Sequence, residues 1–149
     1  MRIYLDTSAL AKLYHPEIGT SATEQLAMEA AGGCFVSRLG GVEMRSVLAQ
    51  KVRSGHISAA DSALALRRFR SDIRSRRFQV VSLRVRDYEL AECLIESYGR
   101  STGLRTLDSL HLAVALGLRR SGLVDSLVAA DKILCDVALL EQLPVINPR

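Results

Sequence analysis

The chain has no tryptophan, three prolines, three cysteines, and only four tyrosines and three phenylalanines. Each scarcity excludes something. Cys34, Cys93 and Cys135 are odd in number, widely spaced and contain no C-x-x-C, so neither a disulfide framework nor a zinc site is expected. Each is read as a free, buried thiol in an apolar setting. The few aromatics are not interleaved with basic residues, which argues against a base-stacking platform for single-stranded nucleic acid. No stretch approaches the run of about 18 apolar residues that a membrane helix requires. Asp6 interrupts the first apolar stretch, so no secretory signal is read there and a cytoplasmic protein is expected. No G-x-S-x-G elbow accompanies the histidines, so a Ser-His-Asp hydrolase is not suggested.

What is present suits one compact domain of 149 residues, 48% hydrophobic and 24% charged. The charge is uneven. Residues 45 to 86 carry eleven Lys or Arg against Asp61 and Asp72, whereas the remainder carries nine basic and fourteen acidic residues. Such a basic segment is either a polyanion-binding surface or a solvated helical face.

Apolar periodicity and turn residues alternate strand with helix. Strands are expected at Arg2 to Leu5, Cys34 to Val36, Gln79 to Leu83, Ser126 to Ala130 and Pro144 to Ile146. Helices are expected from Ser8 to about Tyr14, from a Thr20 or Ser21 cap to about Ala31, and from Gly41 to Arg53. A fourth follows a Ser58 cap, with Ala59, Ala63, Leu66, Phe69 and Ile73 on one face and Arg67, Arg70, Arg74 and Arg77 forming a basic stripe. Others run from Asp87 to about Tyr98, from a Thr106 cap to Arg119, and from Lys132 to Leu140. The alternation predicts an α/β sandwich whose central sheet is mainly parallel, with ligands beyond the carboxyl ends of its strands.

In MRIYLDTSAL a carboxylate stands where a buried strand should end, and Asp131 ends the strand before Lys132 in the same way. Glu43 and Asp108 fall early in their helices. Taken singly, each is explained as a cap or a complement to the helix dipole. Taken together, a parallel sheet brings strand-to-helix junctions to one edge, where two carboxylates about 4 Å apart repel by around 4 kcal/mol. Oxygen donors without cysteine or a histidine pair favour Mg2+ or Mn2+ over zinc. A metal that activates water, beside a basic stripe able to hold a phosphodiester, reads as a nuclease.

The segments LDTSALAKLYHPEIGTSATEQL, GGVEMRSVLAQ, LRTLDSLHLAVAL and LVAADKILCDVALLEQLPVINP, in that order from residue 2 to 148, resemble a PIN-domain ribonuclease of the VapC toxin family. The resemblance implies a single three-layer domain in which Asp6, Glu43, Asp108 and Asp131 hold Mg2+, with Mn2+ as a substitute. Asp6 and Asp108 would be the most direct ligands. Glu43 would orient or deprotonate the attacking water, and Asp131 would hold a second metal or an outer water. It implies RNA cleavage leaving a 3′-hydroxyl and a 5′-phosphate, a VapB-type antitoxin as partner, and a homodimer. Many relatives carry Ser or Thr where this chain has Ala129, two residues before the fourth acid. Thr7 and Ser8 either replace that hydroxyl or cap their helix.

His111, one helical turn after Asp108, is read chiefly as a packing or hydrogen-bonding residue. His15 and His56 have no partner at a useful spacing. Arg105 either touches a phosphate or antitoxin acid or is merely exposed, and the same choice holds for Arg67, Arg70 and Arg74. Two other functions compete: a phosphotransferase or phosphatase using Asp6 as nucleophile, and a catalytically silent PIN-like module that binds RNA or protein.

Overall fold

The computed structural model describes residues 1–30 and 32–149. Its elements alternate from β1 (Ile3–Leu5), through α1 (Thr7–Leu10) with a 3-10 turn at Ala11–Leu13, to α2 (Thr20–Glu29) and β2 (Cys34–Ser37). Next come α3 (Arg38–Arg53), α4 (Ala59–Arg74), β3 (Gln79–Val81) and α5 (Val85–Thr102). The chain continues with α6 (Thr106–Arg120), β4 (Ser126–Val128), α7 (Lys132–Leu140) and β5 (Val145–Ile146). The sheet is ordered β3-β2-β1-β4-β5. Every pairing is parallel, with β1 central in the registers Ile3 to Cys34 and Ile3 to Ser126. This is the α/β sandwich expected from the sequence.

Side chains alternate across β1. Ile3 and Leu5 join Val36, Met44, Leu48 and Phe69 on one face, while Tyr4 joins Leu112, Leu127, Leu134 and Val137 on the other. The two apolar layers therefore follow from the two-residue period of a strand. Burying each such Leu, Val or Met contributes about 1.5–3 kcal/mol. Among the described residues, no helix is long and apolar enough to cross a membrane.

Several expected boundaries move, each for a local reason. Thr20 does not cap α2. Its hydroxyl accepts from the Glu17 N–H and donates to the Lys12 carbonyl, and the cap position passes to Gly19. Gly19 has φ +91°, and a Cβ there would lie 2.1 Å from the Pro148 carbonyl oxygen, so glycine is required both by conformation and by space. Ala31, the expected end of this helix, lies outside the described residues.

Helix α3 begins at Arg38 rather than Gly41, because Ser37 at the end of β2 caps it by accepting from Gly40 N–H. Helix α5 begins at Val85, with Asp87 three residues inside reaching back to the Arg84 N–H at 2.7 Å. It runs through Gly99 and stops only at Gly103, φ +78°. Thr106 is the first residue of α6, and Arg105 occupies the cap position without a side-chain cap. Along α4 the buried residues are Ala65 and Phe69, with Leu66 and Ile73 partly covered and Ala59 and Ala63 exposed. The apolar stripe is thus narrower than its sequence pattern. Strand β3 stops at Val81, and Cys93 is exposed, whereas Cys34 and Cys135 are buried as expected.

Candidate functional site

The parallel sheet carries the predicted residues to its carboxyl end. Asp6 follows β1 directly and caps α1. Its Oδ1 accepts from the Ala9 N–H at 3.0 Å and from the Ser8 hydroxyl at 2.7 Å. Ser8 Oγ in turn accepts from Ala130 N–H at 2.8 Å, and Asp6 N–H donates to the Val128 carbonyl at 3.1 Å. The junctions after β1 and β4 are therefore tied together at Asp6. The Asp6 carboxyl is almost wholly buried, and burial raises its pKa against the opposing effects of His111 and its hydrogen bonds.

Glu43 arrives from the second turn of α3. Its Oε1 accepts from Thr7 Oγ1 at 2.8 Å and from Nε2 of His111. Burial would raise the Glu43 carboxyl, but the bonds from His111 and Thr7 outweigh it and the pKa falls. Glu43 is thereby held as a carboxylate. His111 is buried on α6 and its Nδ1 meets the Tyr4 hydroxyl at 2.6 Å. Nε2 of the same ring thus lies against Glu43 while Nδ1 lies against the Tyr4 hydroxyl. Burial holds the phenol protonated by raising its pKa.

Asp108, in the first turn of α6, and Asp131, the cap of α7, meet through Arg105. The guanidinium donates from Nε to Asp108 Oδ2 at 3.2 Å and from Nη2 to Asp131 Oδ2 at 3.5 Å. The other oxygen of Asp131 accepts from Leu134 N–H at 2.9 Å. Burial raises the Asp108 pKa, reinforced by the negative charge of Asp131 and opposed by Arg105 and His111. Glu43, Arg105 and Asp108 line a cleft of about 680 Å³ between the start of α6 and the outer face of α3.

All four acids offer hard oxygen donors, and two of them already share a cation, which suits Mg2+ or Mn2+ chemically. Among the described residues, no group of three or more His, Cys, Asp or Glu side chains is arranged to hold a metal ion. The acids instead stand in three hydrogen-bonded sets: Asp6 with Ser8 and the Ala9 N–H, Glu43 with Thr7, His111 and Tyr4, and Asp108 with Asp131 through Arg105. Thr7 and Ser8, weighed as hydroxyl donors, are engaged by Glu43 and by Asp6. Ala129 is fully buried and brings no hydroxyl.

The basic stripe divides. Arg70 and Arg74 line a groove of about 430 Å³ together with Arg38 and Arg45 of α3, over a floor that includes Phe69 and Ile73. Arg67 is outside that lining. Arg77 turns away to Asp72 at 2.9 Å and over the Phe78 ring. Sequence reasoning missed Arg38 and Arg45, since only tertiary packing sets α3 beside α4. His111, read chiefly as a packing or hydrogen-bonding residue, is buried and bonded to Tyr4 and Glu43.

Solved structures share this arrangement of strands and helices. FitAcB from Neisseria gonorrhoeae superposes with a TM-score of 0.67 at 16% identity, covering 98% of this chain and 97% of its own. Mycobacterium tuberculosis VapC20, a Sarcin-Ricin loop cleaving toxin, gives 0.61 at 18% identity over 93% and 94%. VapBC2 from Rickettsia felis, bound to a DNA fragment from its promoter, gives 0.62 at 15% over 99% and 98%. No curated protein sequence matches. At these identities the structural likeness speaks for the fold, but the PIN domain family itself matches residues 3–140, nearly the whole chain. By its sequence as well as its fold, this chain belongs to the PIN domain family.

Proposed function

We propose that the chain is a Mg2+-dependent endoribonuclease and the toxin of a type II toxin–antitoxin pair. The observation that carries this reading is the placement of buried Asp6, hydrogen-bonded Glu43 and the mutually repelling Asp108 and Asp131 at the carboxyl end of one parallel sheet. Asp6 and Asp108 would hold the metal, and Asp131 a second metal or an outer water. When bound, Mg2+ (or Mn2+) neutralises charge on a phosphodiester and acidifies water. Glu43, kept ionised and aimed by Thr7 and His111, orients the attacking water and accepts its proton. Tyr4 fixes the imidazole that fixes Glu43.

Arginines 38, 45, 70 and 74 surround a groove whose lining contains no acid, which favours a polyanion such as RNA. Contact of Arg67 and Arg105 with RNA or the antitoxin belongs to the same reading. Cleavage would leave a 3′-hydroxyl and a 5′-phosphate. The named relatives include a toxin that cleaves the Sarcin-Ricin loop, and a comparable RNA target and a VapB-type antitoxin are proposed here by likeness. A homodimer and a cytoplasmic site of action belong to the same reading.

A second reading, a catalytically silent PIN-like module that binds RNA or protein, is favoured by one observation: Arg105 already neutralises two of the four acids. Incubating the purified chain with a mixed RNA pool, in Mg2+ and in chelator, separates the two. Cleavage that appears with Mg2+ and disappears with chelator supports the nuclease. Binding without cleavage at any Mg2+ or Mn2+ concentration supports the silent module.

A further inference from the structure

We infer that the cleft between α3 and the start of α6 is a nucleobase slot, which holds one base of the RNA strand beside Glu43 and reads its edge with Gln50. This rests on the RNA reading above and deepens it, by giving base specificity to one face of α3. Glu43 shares that face with Leu39, Val42, Ser46, Val47 and Gln50, which recur at the three- and four-residue spacings of a helical stripe. Leu107 faces them from α6. Val42 is 67% and Leu107 45% exposed, large apolar side chains left open to water, and Leu39 and Val47 are half-buried.

The charge pattern selects the occupant. Of the residues lining the cleft only Glu43, Arg105 and Asp108 are charged, so the lining is net negative and offers a phosphate no excess cation. A flat neutral ring instead meets aliphatic side chains on both sides, from α3 and from Leu107. Apolar walls hold an unstacked base without an aromatic platform, and no aromatic residue lines this cleft. Gln50 follows Glu43 by seven residues, about 10 Å along the helix, which is one nucleotide's reach from the carboxylate. Its amide offers a donor and an acceptor side by side, the converse of the adenine N6 and N7 edge. Val42 accounts for how the strand arrives. It lines both this cleft and the groove of Arg38, Arg45, Arg70 and Arg74. A strand whose phosphates lie in that groove passes over Val42 into the slot.

The test is binding of short single-stranded RNAs to the full chain in chelator and low salt, read by fluorescence anisotropy, so that neither cleavage nor a metal is required. Pentaadenylate should bind tighter than pentacytidylate or pentauridylate by about fivefold or more, the lower end of what one bidentate pair discriminates. Gln50 is exposed, so Q50L should keep the melting temperature and shrink the preference to less than about twofold. V42D sets a negative charge on the crossing and should weaken all three about fivefold, the effect of one like-charge contact in water. Irradiated pentauridylate carrying 4-thiouridine should form its adduct between Leu39 and Gln50 or at Leu107. Equal affinity of wild type for the three RNAs, a preference that survives Q50L, or an adduct elsewhere overturns this proposal and leaves the RNA reading standing. A V42D variant that splits a dimer but binds RNA as wild type does gives the cleft to a second copy, and also overturns it. No binding of any pentamer by wild type overturns the RNA reading and this proposal with it.

Discussion

The phenol oxygen of Tyr4 lies 2.6 Å from Nδ1 of His111, a residue 107 positions further along the chain. Tyr4 is central in the sheet and His111 lies on α6, so the bond fixes a helix against β1 and aims the other imidazole nitrogen at Glu43. A core bond thus sets the direction of a site carboxylate. Removing only the phenol oxygen tests this. Tyr4→Phe leaves a buried nitrogen without its partner and should cost about 1–3 kcal/mol in urea unfolding. RNA cleavage should fall as well, through kcat more than KM, since Glu43 loses its fixed aim. A variant as stable and as active as wild type would show that the bond orients nothing.

Asp6→Asn should abolish cleavage while keeping the fold. Asparagine caps a helix nearly as well as aspartate, so the start of α1 survives. It also removes the cost of a buried charge. Asp108→Asn should act similarly, with activity down by more than about 100-fold for each. Circular dichroism checks the fold, and RNA cleavage in Mg2+ checks the chemistry. Full activity in a well-folded double variant would refute the assignment.

In chelator, stability should fall with rising pH more steeply in wild type than in D6N/D108N. Folding raises the pKa of both Asp6 and Asp108, burial being the leading cause. Between about 3.9, the ordinary aspartate value, and those raised values, the folded chain binds more protons than the unfolded one. The stability these groups contribute is therefore complete below that window and lost on passing up through it. The lowered pKa of Glu43 runs the opposite way and is common to both proteins. Thermal melts across the window give the difference directly. A wild-type-minus-variant gap that ignores pH would contradict the burial of these carboxyls.

Reversing charge at Arg70 and Arg74 should weaken RNA binding and flatten its salt dependence. The log–log slope should fall by about 0.7 for each single-strand phosphate that is no longer neutralised. Arg67→Glu alone should do less, because that side chain lies outside the groove. Binding measured from low to moderate salt decides it. If all three variants keep the wild-type slope, these arginines are a solvated face.

The order of strands and helices was readable because apolar periods of two and of about 3.6 announce themselves locally, and so was the gathering of strand ends at one sheet edge. Helix starts were read less well. Thr20 and Thr106 look like caps, yet Thr20 is drawn to Glu17 and Lys12, and Thr106 stands inside the first turn after Arg105. A hydroxyl signals that it can cap, not which backbone group it will find. Cys93 was misplaced because an apolar neighbourhood in sequence does not say which helix face meets solvent.

What the sequence determined by itself is the alternation of elements and the chemical kind of each site residue: oxygen donors at strand ends, a basic stripe on one helix, too few aromatics to stack bases. Those are properties of neighbours along the chain. Only the tertiary structure decided that Glu43 answers to His111 and Tyr4, that Arg38 and Arg45 complete the groove of Arg70 and Arg74, and that the exposed Arg105 reaches both Asp108 and Asp131. Each joins elements that the sequence keeps apart and that meet only when helices close over the sheet. Local periodicity carries no information about which side chains will then face one another.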